Sequence, residues 1–307
     1  MDDRSRHVIE QMKRDSRMMA ELDRAVPIKG ERQRIRLRGR TIDTVFYAAE
    51  KKNAPIIFAF HGGGFLFGGC ALDDNLHYTV SRELGANLVS VGYRKGERNP
   101  FPKPVNDAYD VAKYCVDNLH GDYDFDRSKI ATLGGSAGGN LAITTSILAH
   151  RRKEFKVGMQ ILNYPFLDAA SPVESKGYTG EEAVMMRYFN EAHARPEQWT
   201  DPLVSPVLAS DDDFDRSMRA IVVLAENDPL REEGRRYADM LRGLGIDVAE
   251  RVAAGQGHGY FEFAFHDSLE GYCPPLIAAA AKDGSLYAQR DETVAFIKEH
   301  WTRWITA

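Results

Sequence analysis

Ser136 stands out as a candidate nucleophile because glycines lie two positions before it and two positions after it, in the run from Gly134 to Gly138. An apolar stretch at residues 130–133 precedes this run, and a helix-like pattern follows it. The spacing is typical of a tight strand-to-helix turn that holds a serine in strained dihedrals and exposes its hydroxyl. GxSxG alone is a weak signal, since glycine and serine are common in loops, but the flanking strand and helix strengthen the prediction of a nucleophile.

Three consecutive glycines in the run His61-Gly62-Gly63-Gly64-Phe65 follow the buried apolar stretch at residues 56–60. Without Cβ atoms, their backbone N–H groups can point inward and stabilise the oxyanion that forms when an ester carbonyl is attacked. We predict that Gly63, Gly64 and Ala137 donate to this oxyanion. The alternatives are a simple glycine-rich turn or a phosphate cradle, and the cradle is disfavoured because neither GxxxxGK[ST] nor GxGxxG occurs. His61 is expected to hold the loop by hydrogen bonds.

Asp228 is the predicted acid that orients the base. It follows an apolar stretch at residues 220–225, and a carboxylate at the end of a strand lies where the active sites of parallel sheets gather. Glu226 is the competing candidate. Asp228 also has the chain order Ser, Asp, His that a triad of this kind requires.

His258 is the predicted general base, because it lies between glycines directly after the strand-like residues 247–252. His77 and His266 remain open as alternatives. His150, His193 and His300 lie in charged helical surroundings and are expected to be solvated. Without HExxH, CxxC or a cluster at ligand spacing, we predict neither a metal nor any other cofactor.

The composition excludes several classes of partner. The 307 residues carry a net charge of −5 and a pI near 6.0, which gives no support for a nucleic-acid partner. No apolar stretch has the length of a membrane span, so no membrane partner is expected. The three cysteines (Cys70, Cys115 and Cys273) are an odd number and are widely spaced. We therefore predict a reducing, cytoplasmic location, with leaderless export left open.

The elements that must position these residues follow an alternating pattern. Strand-like runs at 55–60, 87–93, 130–133, 157–163, 220–225 and 247–252 alternate with helical segments such as 106–119, 139–150 and 234–244. This alternation predicts a mostly parallel sheet covered by helices on both faces. An antiparallel hairpin at 32–38 and 41–48 precedes it. We expect one domain over residues 1–307.

Two segments depart from the alternation. Residues 168–210 contain no convincing strand, and with a helix within residues 1–26 they are expected to form a cap; the alternative is a surface excursion without a role in binding. Residues 266–289 are expected to be irregular, and the helix at 293–304 is a candidate interface for a homo-oligomer. The candidates for the substrate pocket, which are equally candidates for the core, are Phe65, Phe67, Met185, Tyr188 and Tyr260, with Met186 and Phe189 beside them.

The chain resembles the hormone-sensitive-lipase-like branch of the α/β-hydrolases from about residue 55 to residue 263. The resemblance rests on five motifs in one order: HGGGF at His61, YR…PFP…DAY from Tyr93 to Tyr109, GGSAGGNLA around Ser136, AENDPLREEG around Asp228 and GHGYF around His258. It implies a capped α/β-hydrolase fold and a metal-independent esterase for short to medium acyl chains. The family's triad roles fall on Ser136, Asp228 and His258, and its oxyanion donors on Gly63, Gly64 and Ala137.

Three features depart from the family pattern, and they leave the natural substrate open. Gly135 precedes the nucleophile where this branch often has Asp or Thr. Lys95-Gly-Glu-Arg replaces the usual Leu-Ala-Pro-Glu, and the stretch after Tyr260 is longer than expected.

The candidate residues together predict a two-step acyl transfer on a small-molecule ester. The rival hypotheses are a non-catalytic binder of small ligands on the same fold, and an amidase or carbamate hydrolase that uses the same triad. A long-chain lipase is disfavoured because charges occur throughout residues 181–195.

Overall fold

One eight-stranded sheet organises the molecule. The computed structural model describes residues 2–121, 123–266 and 273–306. The strands are β1 (Glu31–Leu37), β2 (Arg40–Tyr47), β3 (Ala54–Phe60), β4 (Asn87–Val91), β5 (Phe125–Gly135), β6 (Met159–Asn163), β7 (Arg219–Ala225) and β8 (Asp247–Ala253). Their order is β1-β2-β4-β3-β5-β6-β7-β8, and only the β1–β2 and β2–β4 pairs are antiparallel. The predicted mostly parallel sheet is confirmed.

Helices cover both faces of this sheet. They are α1 (Asp3–Ala25), α2 (Asp74–Leu84), α3 (Lys103–Asn118), α4 (Ala137–Arg152), α5 (Gly180–His193), α6 (Arg231–Gly243), α7 (Tyr260–Phe263), α8 (Pro275–Lys282) and α9 (Ser285–Thr306). Side chains alternate along β3, so that Ile56 and Phe58 join the apolar cluster under α3, α4 and α6, whereas Ile57 joins the cluster under α2 and α9. In the described part of the chain, no helix is long and apolar enough to cross a membrane.

Two predicted boundaries were wrong. Residues 273–289 of the segment expected to be irregular hold α8 and the beginning of α9, because Ile277 and Leu286 pack into the core; residues 267–272 lie outside the described residues. Strand β5 begins at Phe125, although residues 126–129 are polar. Phe125 pairs with Ala54, and the register shifts before the regular pairing begins at Ile56. Pairing with β3, rather than hydrophobicity, extends this strand.

Helices α1 and α5 pack against each other above the carboxyl end of β3, and together with residues 168–210 we call them the cap. Their contact is apolar and centres on Met12, Leu66 and Tyr188. The hydroxyl of Ser16 on α1 donates to the Leu66 carbonyl at 2.9 Å. Helix α1 is therefore fixed to the loop that carries the three glycines, and it influences the position of that loop.

Candidate active site

The structure brings Ser136, Asp228 and His258 into one chain of hydrogen bonds. His258 Nε2 lies 2.9 Å from Ser136 Oγ, and His258 Nδ1 lies 2.7 Å from Asp228 Oδ2. Ser136 lies between β5 and α4, Asp228 follows β7, and His258 follows β8. The carboxyl ends of three parallel strands thus bring together residues that are far apart in sequence. The arrangement can transfer the hydroxyl proton to an imidazole that a carboxylate orients.

The backbone at Ser136 is strained, with φ 54° and ψ −120°. Its N–H donates to Asn163 O at 3.0 Å, and its carbonyl accepts from Phe166 N at 3.0 Å, which fixes the turn from both sides. A Cβ on Gly138 would overlap the carbonyl oxygen of Phe60, and a Cβ on Gly134 would overlap the backbone of Gly138. The two glycines that flank the serine are therefore required by the close approach of β5, α4 and β3.

We predict that Gly138→Ala damages both the fold and the site. The new methyl group must push α4 away from Phe60, so we expect the free energy of unfolding to fall by about 1–3 kcal/mol. The accompanying shift of Ser136 is expected to slow its labelling by a fluorophosphonate probe by about 100-fold. Gly243→Ala in α6 is the matched control, because its Cβ meets nothing within 4 Å, and it should be neutral or slightly stabilising. Urea titrations and labelling rates measure both effects; equal behaviour of the two variants would contradict the prediction.

The predicted oxyanion donors lie beside the nucleophile. The loop turns through φ +106° at Gly63 and +60° at Gly64, conformations that favour glycine, and a Cβ on Gly62 would lie 3.6 Å from Ser136 Cβ. In the described residues, the N–H groups of Gly63, Gly64 and Ala137 have no hydrogen-bond partner. They are free to donate to an anion that forms near Ser136 Oγ.

His61 holds this loop from below. Its ring stacks on Tyr93 at 4.2 Å between centroids, its Nδ1 lies 2.7 Å from Gly62 O, and the Tyr93 hydroxyl donates to its carbonyl at 2.7 Å. Burial lowers the pKa of His61 to about 3. The imidazole is therefore neutral, and its contacts fit the predicted structural role.

Asp228, and not Glu226, is the carboxylate that meets the imidazole. The Asp228 side chain is fully buried, and its Oδ1 accepts the N–H of Leu230 at 2.8 Å. Glu226 is exposed, and its carboxylate accepts the N–H of Gly255 at 2.6 Å. Of the two candidates, only Asp228 has the position needed to hold His258 in one tautomer.

The environment of His258 favours its charged form. Burial lowers the pKa of the imidazole, but the charge and hydrogen bond of Asp228, with the charge of Glu262, outweigh burial and leave the pKa raised above its ordinary value. The side chain is 35% exposed, so it remains accessible from the site. A base with a raised pKa is well matched to accept a proton during an attack and to return it afterwards.

The remaining histidines lie elsewhere. His77 is buried, and His266 Nε2 lies 3.9 Å from Asp73 rather than near Ser136. The prediction that His193 is solvated was wrong: its ring, at the end of α5 in the cap, is fully buried and stacks on Phe65 with centroids 3.5 Å apart. Burial lowers the pKa of His193 to about 3, so the ring is neutral and packs like an apolar group.

The five candidates for the pocket fall into two groups. Phe65 is 1% exposed and has a positive φ of 57°. Tyr260 is 0% exposed, and its hydroxyl shares a hydrogen bond with the hydroxyl of Thr293 in the core. The structure therefore places these two in the core rather than on an accessible wall. Phe67, Met185 and Tyr188 belong to the cap contact with Met12. The Tyr188 hydroxyl donates to Glu97 at 2.9 Å.

Two residues beside His258 were not predicted from the sequence. The Tyr164 ring meets the imidazole edge-on at 5.1 Å, and its hydroxyl donates to the Glu262 carboxylate. Tyr164 follows β6 at the same sheet edge as the triad, which is the one signal that could have indicated it. Among the described residues, no group of three or more His, Cys, Asp or Glu side chains is arranged to hold a metal ion.

Comparison with known proteins places the chain in a family. The sequence model of a protein family described as having the α/β-hydrolase fold matches residues 57–262. The chain is 33% identical over 222 residues to an arylesterase of Saccharolobus solfataricus, covering 70% of this chain and 71% of that protein. It is 30% identical over 206 residues to an ethyl acetate hydrolase of Pseudomonas putida, covering 65% and 64%.

A solved structure agrees with this placement. The esterase of the archaeon Pyrobaculum calidifontis superimposes with a TM-score of 0.73 at 32% identity, covering 96% of this chain and 95% of that one. The resemblance that the five sequence motifs indicated is confirmed. The chain belongs to the α/β-hydrolase family and is an esterase of its hormone-sensitive-lipase-like branch.

Proposed function

We propose that the chain hydrolyses carboxylic esters with short to medium acyl groups through an acyl-enzyme on Ser136. The observation that carries this proposal is the hydrogen-bonded chain from Ser136 Oγ through His258 to Asp228. It lies beside three N–H groups that have no partner among the described residues. Nucleophile, base, orienting acid and oxyanion donors are the complete set that acyl transfer needs.

Acylation begins when Ser136 Oγ attacks the ester carbonyl and its proton moves to His258 Nε2. The carbonyl oxygen becomes an anion, and Gly63, Gly64 and Ala137 donate hydrogen bonds to it. Asp228 accepts from Nδ1 and stabilises the imidazolium. The C–O bond to the alcohol then breaks, and the alcohol leaves with the proton from Nε2.

Deacylation repeats these steps with water as the nucleophile. His258 takes a proton from water as the water oxygen attacks the acyl carbonyl, and the same three N–H groups hold the second oxyanion. The bond to Ser136 breaks, and the serine recovers its proton from His258. The products are one carboxylic acid and one alcohol, and no metal or redox group takes part.

Two observations support a small substrate. The outer surface of the cap is charged, with Arg4 of α1 paired to Glu181 of α5 at 2.8 Å, whereas a lipase for emulsified fats uses a wide apolar surface. The two curated relatives described above are named for aryl esters and for ethyl acetate. Both observations favour esters whose acyl and alcohol groups are compact.

A chain-length series tests the proposal. We expect kcat/KM for p-nitrophenyl esters to be highest between acetate and octanoate and to fall steeply towards palmitate. A fluorophosphonate probe is expected to label the protein once, and peptide mapping should place the label on Ser136.

Three results would oppose the proposal. Faster cleavage of matched amides than of esters would indicate an amidase, and a rising rate up to palmitate would indicate a lipase. Absence of both hydrolysis and labelling would indicate a protein that binds small ligands without cleaving them.

A further inference from the structure

Glu262 is an acidic residue beside the triad that the proposed mechanism does not use. It lies on α7, four residues after His258. A Cβ on Gly135 would overlap Glu262 Oε1, so this carboxylate fills the space where the residue before the nucleophile would carry its side chain. The absence of a side chain at Gly135 and the position of the Glu262 carboxylate therefore depend on each other.

Tyr164 links this carboxylate to the imidazole. The Tyr164 hydroxyl donates to Glu262 and accepts the N–H of Phe261 at 3.2 Å, which fixes the phenol ring. The same ring packs edge-on against His258, at 5.1 Å and 62°. His258 thus has Ser136 on one nitrogen, Asp228 on the other, and the Tyr164–Glu262 pair against the side of its ring.

We propose that Glu262 is a positioning residue that holds Tyr164 against His258 and adds a second negative charge that stabilises the imidazolium during acyl transfer. This inference rests on the proposed function, because it assigns a role in the same reaction. Glu262 touches neither Ser136 Oγ nor the ring nitrogens in the hydrogen-bond pattern, so it acts through His258 and is not itself a proton carrier.

The electrostatic surroundings support the second part of this role. The pKa of Glu262 is raised to about 7, because burial and the charge of Asp73 outweigh the hydrogen bond from Tyr164 and the charge of His258, which lower it. Burial lowers the pKa of His258, whereas Asp228, Glu262 and, from α6, Glu233 raise it. The charges of His77 and His266 in turn lower the pKa of Asp73. Of the carboxylates that raise the pKa of His258, Glu262 is the one whose hydrogen bond from Tyr164 also fixes the ring packed against the imidazole.

The sign of the effect follows from the attraction between the two charges. An ionised Glu262 favours the protonated imidazole, so protonating Glu262 lowers the pKa of His258 and protonating His258 lowers the pKa of Glu262. The two groups therefore titrate over a wider pH range than one group alone. Removing the charge of Glu262 should lower the pKa of His258. The fall of kcat/KM towards acid pH should then extend over a narrower pH range.

The test is the pH dependence of kcat/KM for p-nitrophenyl acetate from pH 5 to 8.5, which reports the free enzyme. In the wild type we expect the acid limb to have its midpoint above the ordinary imidazole value and to be broader than a single titration. Glu262→Gln should shift the midpoint down by about half a pH unit and give a single-proton slope, with a plateau about threefold lower. Glu262→Asp keeps the charge and should retain most of the wild-type midpoint.

A second pair of variants tests the geometry. Gly135→Ala in the wild type forces the Glu262 carboxylate out of its place, whereas in a Glu262→Ala background the space is open. We expect the loss of kcat/KM on adding the methyl group to be several-fold smaller in the Glu262→Ala background. Equal losses in the two backgrounds would overturn the proposed fit between these positions.

The outcomes separate this inference from the proposed function. If Ser136 is required for ester cleavage but Glu262→Gln leaves the midpoint and slope of the acid limb unchanged, Glu262 is structural only and the inference fails alone. If the wild type does not cleave esters through Ser136, the proposed function fails, and the geometry is then tested by the unfolding free energies of the same four proteins. A purely structural role would alter those energies without moving the pH profile.

Discussion

Ser136→Ala is expected to lower kcat/KM for p-nitrophenyl acetate by about 10⁴- to 10⁶-fold while leaving the fold intact. Removing the hydroxyl leaves no atom to form the acyl-enzyme, and His258 has no serine proton to accept. The oxyanion donors and the binding site remain, so a small residual rate above that of water is expected. Steady-state kinetics of purified protein, with circular dichroism as the check on folding, measure the effect.

Ser128→Ala is the matched control for this prediction. Ser128 is an exposed serine whose hydroxyl donates to Asp126, far along β5 from Ser136. We expect its activity and its labelling by fluorophosphonate to equal those of the wild type. If Ser136→Ala retained a tenth of the wild-type rate, another nucleophile would have to carry the reaction.

Asp228→Asn is expected to lower kcat by about 10⁴-fold, with little change in KM. The amide keeps the shape of the carboxylate, and its oxygen can still accept from Leu230 N, so the loop is expected to stay in place. The amide cannot hold the Nδ1–H tautomer firmly or offset the positive charge of the imidazolium. His258 Nε2 is then no longer reliably free to take the serine proton.

Glu226→Gln is the control for Asp228, because it removes an equivalent charge two residues away. Glu226 is exposed and contacts the backbone of Gly255 rather than the imidazole. We expect a change in kcat of less than about threefold, since an exposed charge is screened by solvent. A larger loss in this variant than in Asp228→Asn would transfer the role of acid to Glu226.

That the three residues of the proposed triad lie together could be predicted from the sequence, because each follows a strand of strong apolar character. Parallel strands carry such residues to one edge of the sheet, and the chain order then leaves few assignments for Ser136, Asp228 and His258. The glycine run after β3 was equally informative, since only a turn with positive φ requires it. These inferences depend on local pattern and on one general property of parallel sheets.

Features that depend on packing between distant segments could not be predicted in this way. His193 lies among charged residues in the sequence, yet the end of α5 brings its ring into a stack with Phe65. No motif in the sequence singles out Glu262, and only the close approach of α7 to Gly135 brings it beside the imidazole. Such contacts depend on where the cap and α7 lie relative to the sheet. The periodicity of apolar residues along the chain does not predict these positions.

The strands that precede Ser136 and His258 lie at different depths in the sheet, and activity requires both to be in place. Ser136 follows a central strand, but His258 follows β8, which is one of the two edge strands of the sheet and is more exposed along its length than β7. Edge elements with few buried contacts are the first to open in local fluctuations. We therefore expect local opening of this edge to displace the proposed base, so that a molecule that has lost only β8 keeps most of its core but no longer holds His258 beside Ser136. We expect activity to be lost on heating before the core of the sheet unfolds.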